Sequence, residues 1–128
     1  MADFNDLNNL NETPDYTSSF DPADVQNNKV MGVLSYLGIL VLIPLFAAKN
    51  SPFARFHCNQ GIVLALAEVL AGIVLGIARN LPLIGWIFRL VGGLASVAWI
   101  VLAIIGIVNA VNGRAKELPI IGGIKILG

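Results

Sequence analysis

The residues best equipped for chemistry stand close together: Arg55, His57, Cys58 and Gln60 in ARFHCNQ, with Glu68 eight residues beyond Gln60. A guanidinium, an imidazole, a thiol and a carboxyl are the raw material of a nucleophile–base pair, a metal site or a proton path. The rest of the chain narrows these options. It holds one His and one Cys in 128 residues, which falls short of the tetrahedral ligand set of a structural zinc and rules out an internal disulfide. No GxxxxGK[ST] phosphate loop occurs, and no two carboxylates lie close together in the apolar body. We therefore expect no catalytic site, no cofactor and no metal, and hence no enzyme.

Glu68 interrupts the otherwise apolar stretch 61–78 about eight residues in, roughly 12 Å at the helical rise. Ionised there, it would cost at least ~2.5 kcal/mol in a bilayer, so such a residue faces a protein interior or does a job. One reading is a proton or cation site. The other is a neutral carboxyl hydrogen-bonded to a neighbouring helix, with Ser35, Tyr36, Ser96 and Trp99 as the available partners. Arg55, His57 and Gln60 also carry two readings. They could hold a lipid head group or a partner protein. Alternatively they are polar residues at a helix start, with Phe53 and Phe56 at interface depth, which is the simpler account.

The elements that must position these residues are dictated by composition. Hydrophobic residues make up 56% of the chain and charged ones only 12%, with a mean hydropathy of +0.78. Soluble domains carry about twice that share of charge. Six of the eight acids precede the first base, Lys29, so an acidic tail joins an apolar, mildly basic body; this is not the charge pattern of a nucleic-acid binder. Residues 1–20 are Asn-rich, polar and aperiodic, and read as a disordered tail. Asp21-Pro22 marks a helix start, and Ser51-Pro52 marks a second.

Three apolar stretches, about 30–48, 61–78 and 90–111, have the length and character of membrane spans. The expected fold is all-α: an integral membrane bundle of three transmembrane helices in a domain covering 21–128, with short interfacial or re-entrant pieces. With three spans, five Lys/Arg fall on one side and three on the other. That places the 49–60 loop and the C-terminus in the cytoplasm and the N-terminal tail outside. Small residues recur four apart at Gly61/Ala65, Ala67/Ala71, Gly72/Gly76, Gly92/Ser96 and Gly106/Ala110. Such spacing lets helices approach closely, so Gly72, Gly76, Gly92 and Ser96 are expected at helix contacts. Self-association or another membrane protein is the expected partnership, besides lipid.

LPLIGWIFRL (81–90) and LPIIGGIKIL (118–127) share six of ten positions. Each is too short to cross a bilayer, and both read as interfacial or re-entrant segments, about 81–89 and 118–127. Their flanks do not align, so the pair is not expected to be a duplication.

SPFARFHCNQGIVL, NKVMGVLSYLG and NGRAKELPIIGGI together resemble a family of small bacterial and archaeal membrane proteins of unknown function that is similar to the chloroplast inner-envelope import component. The most specific piece is Arg55-Phe56-His57-x-x-Gln60, followed some fifty residues later by Leu-Pro-Ile-Ile-Gly. The resemblance implies a multi-pass protein of a bacterial or archaeal cytoplasmic membrane. It also implies a non-enzymatic subunit or accessory of a membrane assembly, related to protein translocation. The expectation from another class is a small oligomeric channel or proton-coupled transporter that uses Glu68.

Overall fold

A computed structural model describes residues 13–127. After a single 3-10 turn (Thr17–Ser19) come helices α1 (Pro22–Asn27) and α2 (Lys29–Leu34), a second 3-10 turn (Gly38–Val41) and helix α3 (Leu42–Ala47). Two long helices follow, α4 (Pro52–Ala78) and α5 (Gly85–Val111). Both marked helix starts behave as their chemistry requires. The Asp21 side chain accepts from the Ala23 amide at 3.0 Å, and Pro22 is the first residue of α1. Ser51 Oγ accepts from the Ala54 amide at 3.0 Å, and Pro52 opens α4.

Among the described residues, only α4 and α5 are long and apolar enough to cross a membrane. At 27 residues each they extend about 40 Å, beyond the ~30 Å hydrocarbon core. The first apolar stretch, 30–48, is not a third span. It is broken after α2, where Gly38 takes a positive φ of 65° that a continuous helix does not allow. The Ser35 hydroxyl bonds back to the Met31 carbonyl at 3.0 Å, and Pro44 disfavours a helix running through from Leu40. The stretch therefore folds into two limbs. α2 packs on α4 and α5, and α3 packs on α4.

These limbs cover one end of the α4–α5 hairpin, which we term the head. Its apolar core consists of Tyr36, Leu64, Leu102 and Leu118, with a second cluster at Val25, Phe53 and Ala115. Gly61 and Gly106 permit the close packing. A Cβ on Gly61 would collide with the Ser35 backbone carbonyl, and one on Gly106 with the Tyr36 ring. Gly72, Gly76, Gly92 and Gly93 do not play that part, since a Cβ there would meet nothing within 4 Å. The small-residue pattern thus marks a helix contact at Gly61 and Gly106, and open space at Gly72, Gly76 and Gly92.

Of the expected tail, residues 1–12 lie outside the described residues, while 13–20 are tied down. The Tyr16 amide donates to the Ala115 carbonyl (2.9 Å), and the Glu117 amide to the Pro14 carbonyl (3.1 Å), around an isolated bridge between Asp15 and Lys116. The Thr17 hydroxyl bonds to the Asp15 carboxylate and holds it below the usual range. Residues on both flanks of the hairpin therefore meet at the head. This corrects the expectation that the N-terminal segment and the C-terminus lie on opposite sides, which followed from counting three spans.

The two decapeptides form the same turn at opposite ends. Leu83 and Ile120 both have φ 71°. The amide after each reaches back two residues, Ile84 to the Pro82 carbonyl (2.9 Å) and Ile121 to the Pro119 carbonyl (2.8 Å). Gly85 and Gly122 then bond to the Leu81 and Leu118 carbonyls at 3.0 and 3.1 Å. These are γ-turns with positive central φ, a strained class. Beyond the turn the copies diverge. Residues 85–89, expected to be interfacial, are the first turn of α5, whereas 118–127 stays non-helical.

Candidate functional site: a polar clasp in the head

The segment 114–127 forms neither helix nor ladder, so its backbone amides and carbonyls need other partners. The start of α4 supplies them. Arg55 and Asn59, one helical turn apart, hold the end of the segment. Arg55 Nη2 donates to the Leu127 carbonyl (2.9 Å) and Asn59 Nδ2 to the Ile124 carbonyl (2.8 Å). Asn59 Oδ1 accepts from the amides of Ile126 (2.6 Å) and Leu127 (3.0 Å). His57 and Gln60, three apart, hold its beginning. Gln60 Oε1 accepts from the Leu118 amide (2.8 Å), and its Nε2 donates to the Gly122 carbonyl (3.0 Å). His57 Nε2 lies 2.9 Å from the Arg114 carbonyl and Nδ1 2.6 Å from the Tyr36 hydroxyl. A carbonyl can only accept, so Nε2 carries the proton and Nδ1 accepts from the tyrosine.

Rings enclose this histidine. Phe53, Phe56 and Tyr36 all meet it edge-on, with centroids 4.8, 5.2 and 5.5 Å away. Asp24 completes the clasp from α1. Its carboxylate accepts from Ser51 Oγ (2.6 Å) and from the Phe53 amide (3.0 Å), at the positive end of the α4 dipole. Cys58 is buried against the Val41 carbonyl.

The sequence-marked residues thus separate into two groups. Arg55, His57 and Gln60 come together, each bonded to the backbone of the C-terminal segment, with His57 also bonded to the Tyr36 hydroxyl. Glu68 stands apart on an exposed face and makes no hydrogen bond to a described residue. Of its expected partners, Ser35 bonds to Met31, Tyr36 to His57 and Ser96 to the Gly92 carbonyl (3.0 Å). Only Trp99 remains, lining with Glu68 a cavity of about 120 Å³. Gly72, Gly76, Gly92 and Ser96 border a larger gap of about 480 Å³ between α4 and α5, with Arg79 and Arg89 at its end. Among the described residues, no group of three or more His, Cys, Asp or Glu is placed to hold a metal ion.

Sequence reasoning missed Asn59, Asn109 and the pairing of Asp24 with the Ser51 cap. Asn59 was legible as the i+4 neighbour of Arg55. The buried Asn109 Nδ2, without a hydrogen-bond partner among the described residues, had no such signal.

Residues 27–127 match the magnetosome magnetite crystal formation protein family. Magnetosome protein MamF of Paramagnetospirillum magneticum is 38% identical over 94 residues, covering 73% of this chain and 78% of that protein. Magnetosome protein MmsF of the same organism is 38% identical over 93 residues, covering 72% and 79%. The UPF0132 membrane protein MJ1527 of Methanocaldococcus jannaschii is 34% identical over 95 residues, 73% of this chain and 64% of that protein. No solved structure matches.

These relatives correct two expectations. The resemblance to the chloroplast import component, drawn from the Arg55–Gln60 motif and Leu-Pro-Ile-Ile-Gly, gives way to a family whose match, 27–127, spans both stretches. With it go the translocation subunit and the Glu68 channel or transporter, since the relatives are named for magnetosomes and crystal formation. That the chain is a membrane protein stands on its two apolar helices and its archaeal relative. It belongs to the magnetosome magnetite crystal formation protein family.

Proposed function

We propose that this chain is a non-enzymatic membrane protein that takes part in magnetite crystal formation, as a scaffold held in the membrane around the crystal. The observation that carries the reading is the family match over 27–127, with MamF and MmsF relatives at 38% identity. The architecture suits such a role: a hairpin anchor carries a head whose polar groups are largely satisfied internally.

The same reading orients the chain. With two crossings, Lys29, Lys49, Arg55, Arg114, Lys116 and Lys125 lie at the head and only Arg79 and Arg89 at the hairpin tip. Six bases against two favour a cytoplasmic head in a bacterial inner membrane or a compartment derived from it. Self-association belongs to the proposal as well, through the gap bordered by Gly72, Gly76, Gly92 and Ser96.

The test is complementation. A tagged chain is expressed in a magnetite-forming bacterium lacking its MamF and MmsF relatives, and crystals are measured by electron microscopy. The chain is expected in the magnetosome membrane fraction, with crystal size moved toward wild type. The archaeal relative is named for a membrane and not for a magnetosome, so localisation is the first arm. Confinement to the cell membrane, or crystals of unchanged size, would refute the proposal.

A further inference from the structure

The turn before α4 and the C-terminal segment leave between them a cavity of about 570 Å³. Three cations line it: Lys49 from the turn, Arg55 from the first turn of α4 and Lys125 from the C-terminal segment. Tyr16, Phe20 and Phe56 form aromatic walls, and no carboxylate is among the described lining residues. Glu117 pairs with Lys125 at 2.8 Å and offsets one charge, so among the described residues the lining keeps a positive excess.

Two of the cations are held in place. Arg55 is fixed on the Leu127 carbonyl, and Lys125 Nζ sits 5.6 Å from the ring centroids of both Tyr16 and Phe56. Lys49 is exposed and makes no hydrogen bond or ion pair with a described residue. Two preorganised cations and one uncommitted cation around a cavity form a phosphate-binding arrangement.

The surroundings select the source of that phosphate. Phe46, three residues before Lys49, is 66% exposed, and exposed Ile124 and Ile126 flank Lys125. A free phosphate gains nothing from these side chains. A phospholipid lays its acyl chains against them while its head group enters the cavity. We propose that this cavity binds the phosphate head group of an anionic phospholipid where α4 meets the membrane surface. The inference rests on the geometry of the head and is independent of any role in magnetite formation.

The test uses the full chain purified in a nonionic detergent, with thermal unfolding followed during additions of phosphatidylglycerol, phosphatidylcholine or inorganic phosphate alone. A saturable rise in unfolding temperature is expected with phosphatidylglycerol and not with the other two. Lys49→Gln should weaken that response about fivefold, the effect of one basic charge at a membrane surface, and leave the lipid-free unfolding temperature unchanged. Arg89→Gln, which removes a charge at the opposite end, should respond as wild type does. An equal rise with phosphatidylcholine or inorganic phosphate would overturn the anionic-lipid assignment. Absence of saturation with phosphatidylglycerol, an unaltered response in Lys49→Gln, or an equal loss in Arg89→Gln would overturn the site.

Discussion

Helices α4 and α5 each pass through two different environments. In the head half, roughly 52–64 of α4 and 102–111 of α5, one face of each helix is buried among rings, limbs and the C-terminal segment, with Phe53, His57 and Leu64 on α4 and Leu102 and Ala110 on α5. In the tip half the same helices expose Leu70, Ile73, Val74 and Ile77 on one side of the hairpin, and Leu90, Leu94, Val97 and Ile100 on the other. Glycine occurs in both halves with opposite meaning. Gly61 and Gly106 have other parts of the chain where a Cβ would stand, and Gly72 and Gly76 have nothing within 4 Å. Polar side chains of α4 divide the same way: His57, Asn59 and Gln60 are buried and bonded, and Glu68 is exposed and makes no hydrogen bond to a described residue. A small residue in an apolar helix therefore reports a close contact only where another segment of chain arrives to make it.

The strongest way to break this comparison is to add one methyl group in each half. Gly61→Ala drives a Cβ into the Ser35 carbonyl. Backbone cannot swing away as a side chain end can, so a loss of about 3 kcal/mol is expected, the upper part of the overpacking range. Gly72→Ala meets open space and should instead gain about 0.5–1 kcal/mol from helix propensity. Unfolding of both variants in detergent measures the contrast, and equal effects would abolish the distinction between the halves.

Next in size is the clasp. Gln60→Leu leaves the Leu118 amide and Gly122 carbonyl without their partner in a buried place, which costs about 2 kcal/mol. The expected readout is local: trypsin should cut after Arg114 or Lys116 faster than in wild type, while α4 and α5 keep their helicity. Unchanged cleavage would show that 114–127 holds its place without Gln60. Tyr36→Phe is milder, deleting one hydrogen bond to His57 and leaving the packing intact. We expect about 1 kcal/mol, together with a changed imidazole resonance.

Much of the architecture was legible in the sequence because its physics is local. Asp21-Pro22 and Ser51-Pro52 start helices as capping chemistry requires, and two of three apolar stretches became long helices. The third, 30–48, failed because length and hydropathy do not register a positive φ at Gly38 or the fit of the Ser35 carbonyl against Gly61. The clasp was half visible. Arg55, His57 and Gln60 stood out as polar residues beside a span, but their partners are backbone groups 57–72 residues away, which no side-chain pattern announces. The N-terminal segment failed for a similar reason, since Tyr16 and Glu117 join the bridge through main-chain amides.

The smallest effect compares the two ends of the molecule through the turn they share. Leu83 at the tip and Ile120 at the head both hold a left-handed φ of 71°, at 93% and 91% exposure. For a side chain bearing a Cβ that conformation costs roughly 1–2 kcal/mol, and a β-branched residue tolerates it least. Glycine relieves the strain, so Leu83→Gly and Ile120→Gly should each stabilise the isolated chain by up to about 1 kcal/mol, less the greater freedom of glycine when unfolded. Repeating the measurement in lipid bilayers sharpens the comparison. If one of the exposed side chains rests in the bilayer, its glycine variant loses that burial and the gain shrinks or reverses. A gain that survives at both ends would place both turns in water.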